Sequence, residues 1–155
     1  MKLVLSTILA LSVAGQAAAL SCMRPDPVNT FHRIAEDPTD YYLLYGTLDF
    51  DGSKQPQGVV NEERNPEPIA AAFRGHGLTR AGFISRFERT VTVQPLCFGP
   101  WCGQTTPGVK SLFFAAVEGD KVIISPDPCG GTIFAEPTQK ELDEMTACIN
   151  GNCPR

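Results

Sequence analysis

The stretch DYYLLYGTLDFD, residues 40–51, carries the strongest strand signal in the chain. It is rich in aromatic and other β-favouring residues, and an extended chain places alternate side chains on opposite faces. Tyr42, Leu44 and Leu48 share one face, which Gly46 interrupts. A glycine inside a strand is typical of a bulge or a sharp bend, and we expect one at Gly46.

The segments on either side of this strand predict a mainly β chain with two short helices. Apolar alternation favours strands over 69–78 and 85–96, and a hairpin over 111–126 with Gly-Asp in its turn. Helical spacing favours short helices over 28–36 and 137–148, with Pro137 in the first turn of the second. About five short strands without a βαβ rhythm indicate a small barrel or sandwich.

The N-terminus has the layout of a secretory signal peptide. Lys2 precedes an uncharged apolar run over 3–15, and Ala17–Ala19 offers a small-residue cleavage site. The run is shorter than the roughly 20 residues of a membrane span. We therefore expect a signal peptide over 1–19 and one exported domain, periplasmic or secreted, over 20–155. An uncleaved anchor and a lipoprotein acylated at Cys22 are the less favoured alternatives.

The formal charge of −4 would become −5 once Lys2 is removed. Nucleic acid is therefore not an expected partner, although Arg74, Arg80, Arg86 and Arg89 cluster in the sequence. Alternating arginines on a strand are more often its solvated face. No later stretch is apolar enough to predict a membrane span after signal removal.

An even number of cysteines in an exported chain favours disulfides over metal ligation or free thiols. The chain has six cysteines: Cys22, Cys97, Cys102, Cys129, Cys148 and Cys153. Six cysteines allow fifteen pairings, among which the sequence alone does not choose. Four residues that include turn formers separate Cys97 from Cys102, and four separate Cys148 from Cys153, so each of these two pairs can bond locally.

The segment PLCFGPWCGQ, residues 95–104, holds the only tryptophan of the chain between two cysteines. Cys97 and Cys102 could ligate zinc with a second cysteine pair, form a redox centre, or clamp a loop. An oxidising compartment disfavours thiolate zinc, and a redox pair usually has two intervening residues beside a helix N-terminus. A structural disulfide that presents Trp101 is the favoured interpretation.

The order of elements resembles the netrin-like module, the OB-fold barrel of tissue inhibitors of metalloproteinases. The resemblance rests on Cys22 with the extended chain and short helix after it, on YLLYG at 42–46, on GDKVIISPDPC at 119–129 and on the final helix between two cysteines. It implies a five-stranded OB-like barrel stabilised by disulfides. It also implies that Cys22 bonds Cys129 and that the two four-residue pairs are local.

The N-terminus departs from that family. The inhibitors begin at a cysteine whose amine and carbonyl bind the zinc of the protease, whereas Leu20 and Ser21 precede Cys22 after the favoured cleavage. Arg24 also stands where the family has a second cysteine. Metalloproteinase inhibition is therefore not carried over to this chain, although cleavage after Ser21 would weaken the first objection.

The favoured functional hypothesis is a non-catalytic binding module whose partner is a protein or another envelope component. Candidate binding residues are the aromatic side chains Trp101, Phe98, Tyr41 and Tyr45, together with the polar loop 52–68. No cofactor and no metal are expected. A protease-inhibitor-like protein is one alternative.

A small exported hydrolase is the other alternative. A catalytic Ser/His/Asp set could be assembled from Ser85 or Ser111, His76, and Asp49 or Asp127. The chain has neither a G-x-S-x-G elbow nor an H-E-x-x-H motif, however, so no signature supports such a set.

Overall fold

The computed structural model describes residues 21–57 and 66–154. The predicted signal peptide over 1–19 and much of the predicted loop 52–68 lie outside these ranges. Within these ranges the chain forms two α-helices, eight strands and one 3₁₀ turn at Gly52–Lys54. The helices and strands are α1 Pro27–Ala35, β1 Asp40–Asp49, β2 Ile69–Thr79, β3 Gly82–Val93, β4 Cys97–Phe98, β5 Trp101–Cys102, β6 Ser111–Glu118, β7 Lys121–Ile124, β8 Ile133–Ala135 and α2 Gln139–Ile149. Among the described residues, none of the helices has the length and hydropathy to cross a bilayer.

Five strands close into a barrel. The order is β1-β2-β3-β7-β6, and β6 pairs again with β1 to complete the ring. All neighbours are antiparallel except β3 and β7, which pair in parallel at Thr92↔Ile123 and Val93↔Ile124. This closure removes most of the unpaired edge, and it confirms the predicted small OB-like barrel.

The ring closes because β1 pairs with two different strands, β6 and β2, along its length. Its first half pairs with β6 up to Gly46↔Ser111, and its second half pairs with β2 from Leu44↔Gly77 onward. At Gly46↔Gly75 the two backbones approach so closely that a Cβ on Gly75 would lie 2.6 Å from Gly46 Cα. Only glycine allows this approach.

Of the two features predicted at Gly46, a bulge or a sharp bend, the bulge is wrong, because the β1–β2 register is continuous through this residue. The bulge lies in the β2–β3 hairpin instead, where Gly77 pairs with Ser85 and Leu78 with Phe83, so that Ile84 is the extra residue.

The barrel interior is filled by alternate residues of the five strands. The fully buried large side chains include Phe73, Phe113, Leu44, Leu48 and Ile124. The ring of Phe73 contacts those of Phe87 and Phe113 edge-on, with centroids 5.7 and 5.8 Å apart. Burial of these apolar surfaces is the main favourable contribution to the stability of the fold.

The two helices pack against each other on the outside of the barrel. Val28 from α1 and Met145 from α2 join Leu112 and Phe114, whose side chains leave β6 on the outer face. Each helix begins at a residue with a capping side chain, Asp26 for α1 and Thr138 for α2. These are the two predicted helices.

The second helix begins later than predicted. Pro137 lies one residue before the N-cap Thr138, rather than in the first turn, because Thr138 and Glu141 form a reciprocal capping box.

Three disulfides connect the six cysteines. Cys22 bonds Cys129 across 107 positions of sequence, which is the pairing that the resemblance implied. The other two, Cys97–Cys102 and Cys148–Cys153, each close a local loop as predicted. Strand β8, which the sequence analysis did not predict, pairs with β6 beside the Cys129 turn.

Candidate binding groove

The segment around Trp101 forms a miniature β-hairpin. Cys97 pairs with Cys102 in register and bonds it covalently, as the predicted clamp requires, so both sulfur atoms are engaged with each other and not with a metal ion. Phe98 pairs with Trp101 one position nearer the turn, so both rings share the hairpin face opposite the disulfide. Gly99 has φ +57° at the first turn position, as tight hairpin turns require. Phe98 is 52% exposed and Trp101 is 39% exposed.

Backbone contacts attach this hairpin to the barrel. Leu96 N–H donates to the carbonyl of Pro126 at 2.8 Å, and Gly103 N–H donates to the carbonyl of Leu96 at 2.8 Å. A Cβ on Gly103 would overlap the Pro126 carbonyl, so the two chains lie in direct backbone contact. The hairpin is therefore held at both of its ends.

The N-terminal segment lies beside this hairpin, attached by the Cys22–Cys129 disulfide. The turn that carries Cys129 is ordered by the carboxylate of Asp127, which accepts hydrogen bonds of 2.8 Å from the N–H groups of Cys129 and Gly131. The carbonyl of Gly131 in turn accepts hydrogen bonds from the Thr30 hydroxyl and from Arg33. These bonds fix α1 and the chain before it onto the Cys129 turn.

A groove of about 970 Å³ lies between the N-terminal segment, α1, the outer surface of β6 and β7, and the base of the hairpin. Apolar side chains dominate its walls: Met23, Leu96, Phe98, Tyr41, Phe114 and Ile123. Met23 is 90% exposed and Leu96 is 40% exposed. Together with Phe98 they form a solvent-facing apolar rim, which is uncommon for a surface without a partner.

The groove carries two guanidinium groups, Arg24 and Arg33, and two carboxylates, Asp26 and Asp127. The carboxylate of Asp26 caps α1 by accepting from Asn29 N–H, and Asp127 already accepts two backbone bonds. Arg24 has neither a hydrogen bond nor an ion pair within 21–57 and 66–154, and Arg33 bonds a neutral carbonyl. The guanidinium of Arg24 can therefore donate hydrogen bonds to a carboxylate of a partner.

The predicted binding residues divide between three places. Tyr41 and Phe98 line the groove, and Trp101 lies beside Phe98 on the hairpin without lining it. Burial among the side chains between α1 and the barrel raises the pKa of the Tyr41 hydroxyl, and the charge of Asp37 adds to this. Tyr45 lies apart, with its ring edge-on to Phe83.

Sequence reasoning missed Met23, Leu96 and Arg24. Each of them lies within two residues of a cysteine, and that position was the only indication in the sequence that they line the groove. Cysteines that clamp a segment to the barrel also fix which side chains that segment exposes.

Three of the residues considered for a hydrolase, Ser111, Asp127 and Asp49, are bonded elsewhere or lie far from His76. Ser111 is buried, and its hydroxyl donates to the carbonyl of Val109. The carboxylate of Asp127 accepts hydrogen bonds from backbone N–H groups. Asp49 pairs with Ala72, which precedes His76 by four residues on β2, so Asp49 lies about 14 Å from His76 along the sheet. Within the described part of the chain, no three side chains of His, Cys, Asp or Glu are grouped so that they could hold a metal ion.

None of the family models, curated proteins or solved structures with which the chain was compared matches it.

Proposed function

We propose that this chain is an exported, non-catalytic binding module that docks a protein partner in the groove between the N-terminal segment and the β4–β5 hairpin. The single observation that carries this proposal is the exposed apolar rim of Met23, Leu96 and Phe98 around a groove of about 970 Å³. Aromatic residues and Met are enriched where proteins bind each other.

The partner is expected to present an apolar side chain together with a carboxylate. Apolar walls favour the first, while Arg24 favours the second because it has no ion pair among the described residues. A carboxylate bound by a guanidinium in a partly dry groove fixes orientation as well as adding affinity.

Rigidity supports binding at this site. One disulfide fixes the N-terminal wall and another fixes the hairpin, so both walls are ordered before a partner arrives. Pre-ordered walls reduce the entropy that association costs. The three disulfides also support export to an oxidising compartment.

The netrin-like relationship is part of the same proposal. A closed five-stranded barrel, two terminal helices packed together and the Cys22–Cys129 bond all support it. The proposed binding mode does not depend on a free N-terminal cysteine amine.

Site-specific photo-crosslinking in the native host tests the proposal. A photoreactive residue replaces Phe98 in one variant and Met23 in another, and Ile84, which is 64% exposed and does not line the groove, serves as the control position. We expect one and the same protein to be crosslinked from both groove positions and not from the control.

The affinity of the crosslinked protein for this chain is then measured with both proteins purified. We expect Phe98→Ala to weaken binding by about 10-fold or more, as for an aromatic anchor that a partner covers, and Ile84→Ala to leave it unchanged. Equal crosslinking from Ile84, or an affinity that does not respond to Phe98→Ala, would refute the groove as the binding site.

A further inference from the structure

Strand β3 has one edge with few backbone partners among the described residues. Its other edge pairs with β2 along Gly82–Val93, interrupted only by the bulge at Ile84, whereas this edge pairs with β7 only at the last two residues of β3. Within the described part of the chain, no further backbone hydrogen bond reaches residues 83–91 from this side. Residues 84–86 and 88–90 are exposed. An exposed edge with unpaired N–H and C=O groups is a template for a further strand.

The charges along this edge are symmetric about one residue. In the segment ISRFERT, residues 84–90, Arg86 and Glu88 stand on either side of Phe87. Phe87 and Val91 face the barrel core, so Arg86 and Glu88 share the outer face of the strand. Their side chains are 78% and 44% exposed and bond each other at 2.7 Å. Because an exposed pair of this kind contributes little by itself, both groups remain open to further ionic contacts.

A second copy of β3, paired antiparallel to the first, matches these charges. When a two-fold axis perpendicular to the sheet passes beside Phe87, residues equally distant from Phe87 on either side lie opposite each other. Arg86 of each copy then lies opposite Glu88 of the other, and the four charges alternate in sign. Moving the axis by one residue in either direction would oppose two arginines or two glutamates. Charge complementarity therefore selects one register.

We propose that two copies of this chain associate through their β3 edges, in the antiparallel register centred on Phe87. The bulge at Ile84 ends regular pairing on one side, and β7 occupies the edge from Thr92 on the other, so the contact is centred on residues 85–89. So short a contact buries less than the area of about 1,000 Å² that stable interfaces exceed, so the dimer is weak and depends on concentration. An unrelated strand would need the same order of charges, which a second copy supplies by symmetry.

The dimer leaves the candidate groove accessible in both copies. None of the residues 85–89 lines the groove, which is bordered by the N-terminal segment, α1 and the β4–β5 hairpin. A dimer would therefore present two grooves, and two linked sites bind a repeated partner more tightly than one site does. This consequence rests on the proposed function of the groove, whereas the dimer itself does not.

Sedimentation velocity of the purified, oxidised protein between about 5 µM and about 1 mM tests the proposal. The test variants are Arg86→Glu and Glu88→Arg, each of which places like charges opposite each other at both contacts. A third variant with both substitutions restores opposite charges across the interface. The matched control is Lys140→Glu, which changes the net charge as Arg86→Glu does and breaks an exposed ion pair with Glu144 on α2. Thermal unfolding of each variant checks that the barrel is intact.

We expect the original protein and the double variant to dimerise, and each single variant to dimerise at least about 10-fold more weakly, because one substitution makes two attractive contacts repulsive. An equimolar mixture of the two single variants should recover the original affinity within about threefold, since opposite charges then meet across the interface although each strand carries like charges. Lys140→Glu should retain the affinity within about threefold. A photoreactive residue at Ile84 should crosslink two copies, and the mass of that product distinguishes it from a crosslink to the groove partner.

A protein that stays monomeric over this concentration range would overturn the proposal. Dimers that persist in both single variants would also overturn it, because they would form through another surface. A mixture that does not recover association would contradict the register centred on Phe87. An equal loss in Lys140→Glu would indicate repulsion by net charge alone, and the β3 edge would then have no part in association.

Discussion

Replacing Gly75 by alanine tests the close approach that lets the barrel close. A Cβ at Gly75 would overlap the carbonyl oxygen of Tyr45 and lie 2.6 Å from the Cα of Gly46. Both obstacles are backbone atoms of β1, so no side-chain rotation relieves the overlap. Gly77 provides a matched control on the same strand, because a Cβ there would meet its nearest atom, Leu44 Cδ2, at 3.7 Å.

The expected magnitudes differ in sign. Overpacking of a rigid site costs about 1–3 kcal/mol and occasionally more, and two backbone obstacles place Gly75→Ala at about 3 kcal/mol or above. Gly77→Ala meets only ordinary contacts and restricts the unfolded chain, so it should stabilise the fold by about 0.4–1 kcal/mol. For a domain of this size, 3 kcal/mol lowers Tm by about 10 °C.

Urea and thermal unfolding with the disulfides intact measure both variants. Fluorescence of Trp101, the only tryptophan, reports on the hairpin, and far-ultraviolet circular dichroism reports on the barrel. A Gly75→Ala variant within about 1 kcal/mol of Gly77→Ala would show that β1 and β2 can separate at this point, and the argument for glycine there would fail.

Three further predictions concern a disulfide, the core and an ion pair. Replacing Cys22 and Cys129 by serine should cost about 5 kcal/mol by urea unfolding, because the bond closes a loop with a sequence separation of 107; a loss below about 1 kcal/mol would contradict this. Met145→Ala should cost about 2–5 kcal/mol in the same assay, since this fully buried side chain fills the space between α2 and the barrel, and a neutral result would refute that packing. The hydrogen bond from Arg86 lowers the pKa of Glu88. The pair therefore stabilises the fold above the ordinary carboxyl pKa, and this contribution is lost as the pH falls through the lowered pKa of Glu88. An NMR titration of Arg86→Gln should show the pKa of Glu88 return toward its usual value, and no movement would contradict the assignment.

The sequence predicted the strands well because their signal is local. Alternation of apolar residues in 40–51 and 111–126 depends only on the two-residue period of an extended chain. The same holds for the two disulfides that close loops with a sequence separation of 5, since a short turn brings their cysteines together whatever the rest of the fold does. Strand β8 was missed because three residues are too few to establish a period.

The candidate groove was predicted only in part. Phe98 and Tyr41 were chosen as exposed aromatics, and they line one groove although more than fifty residues separate them in sequence. Met23 was not chosen, because a lone methionine after a cysteine has no pattern that distinguishes a buried from an exposed side chain. Its exposure follows from the Cys22–Cys129 bond, which holds the N-terminal segment on the outside of the barrel.

By itself the sequence predicted the main strands, the two helices, the number of disulfides and a small barrel or sandwich, since each follows from residue type and spacing along the chain; the OB-like class was what the family resemblance implied. Tertiary structure alone decided that Gly46 faces Gly75, that β6 returns to β1, and that Met23 and Phe98 border one groove. These contacts join residues far apart in sequence. They depend on how the whole sheet twists and closes, and no local pattern in the sequence encodes that geometry.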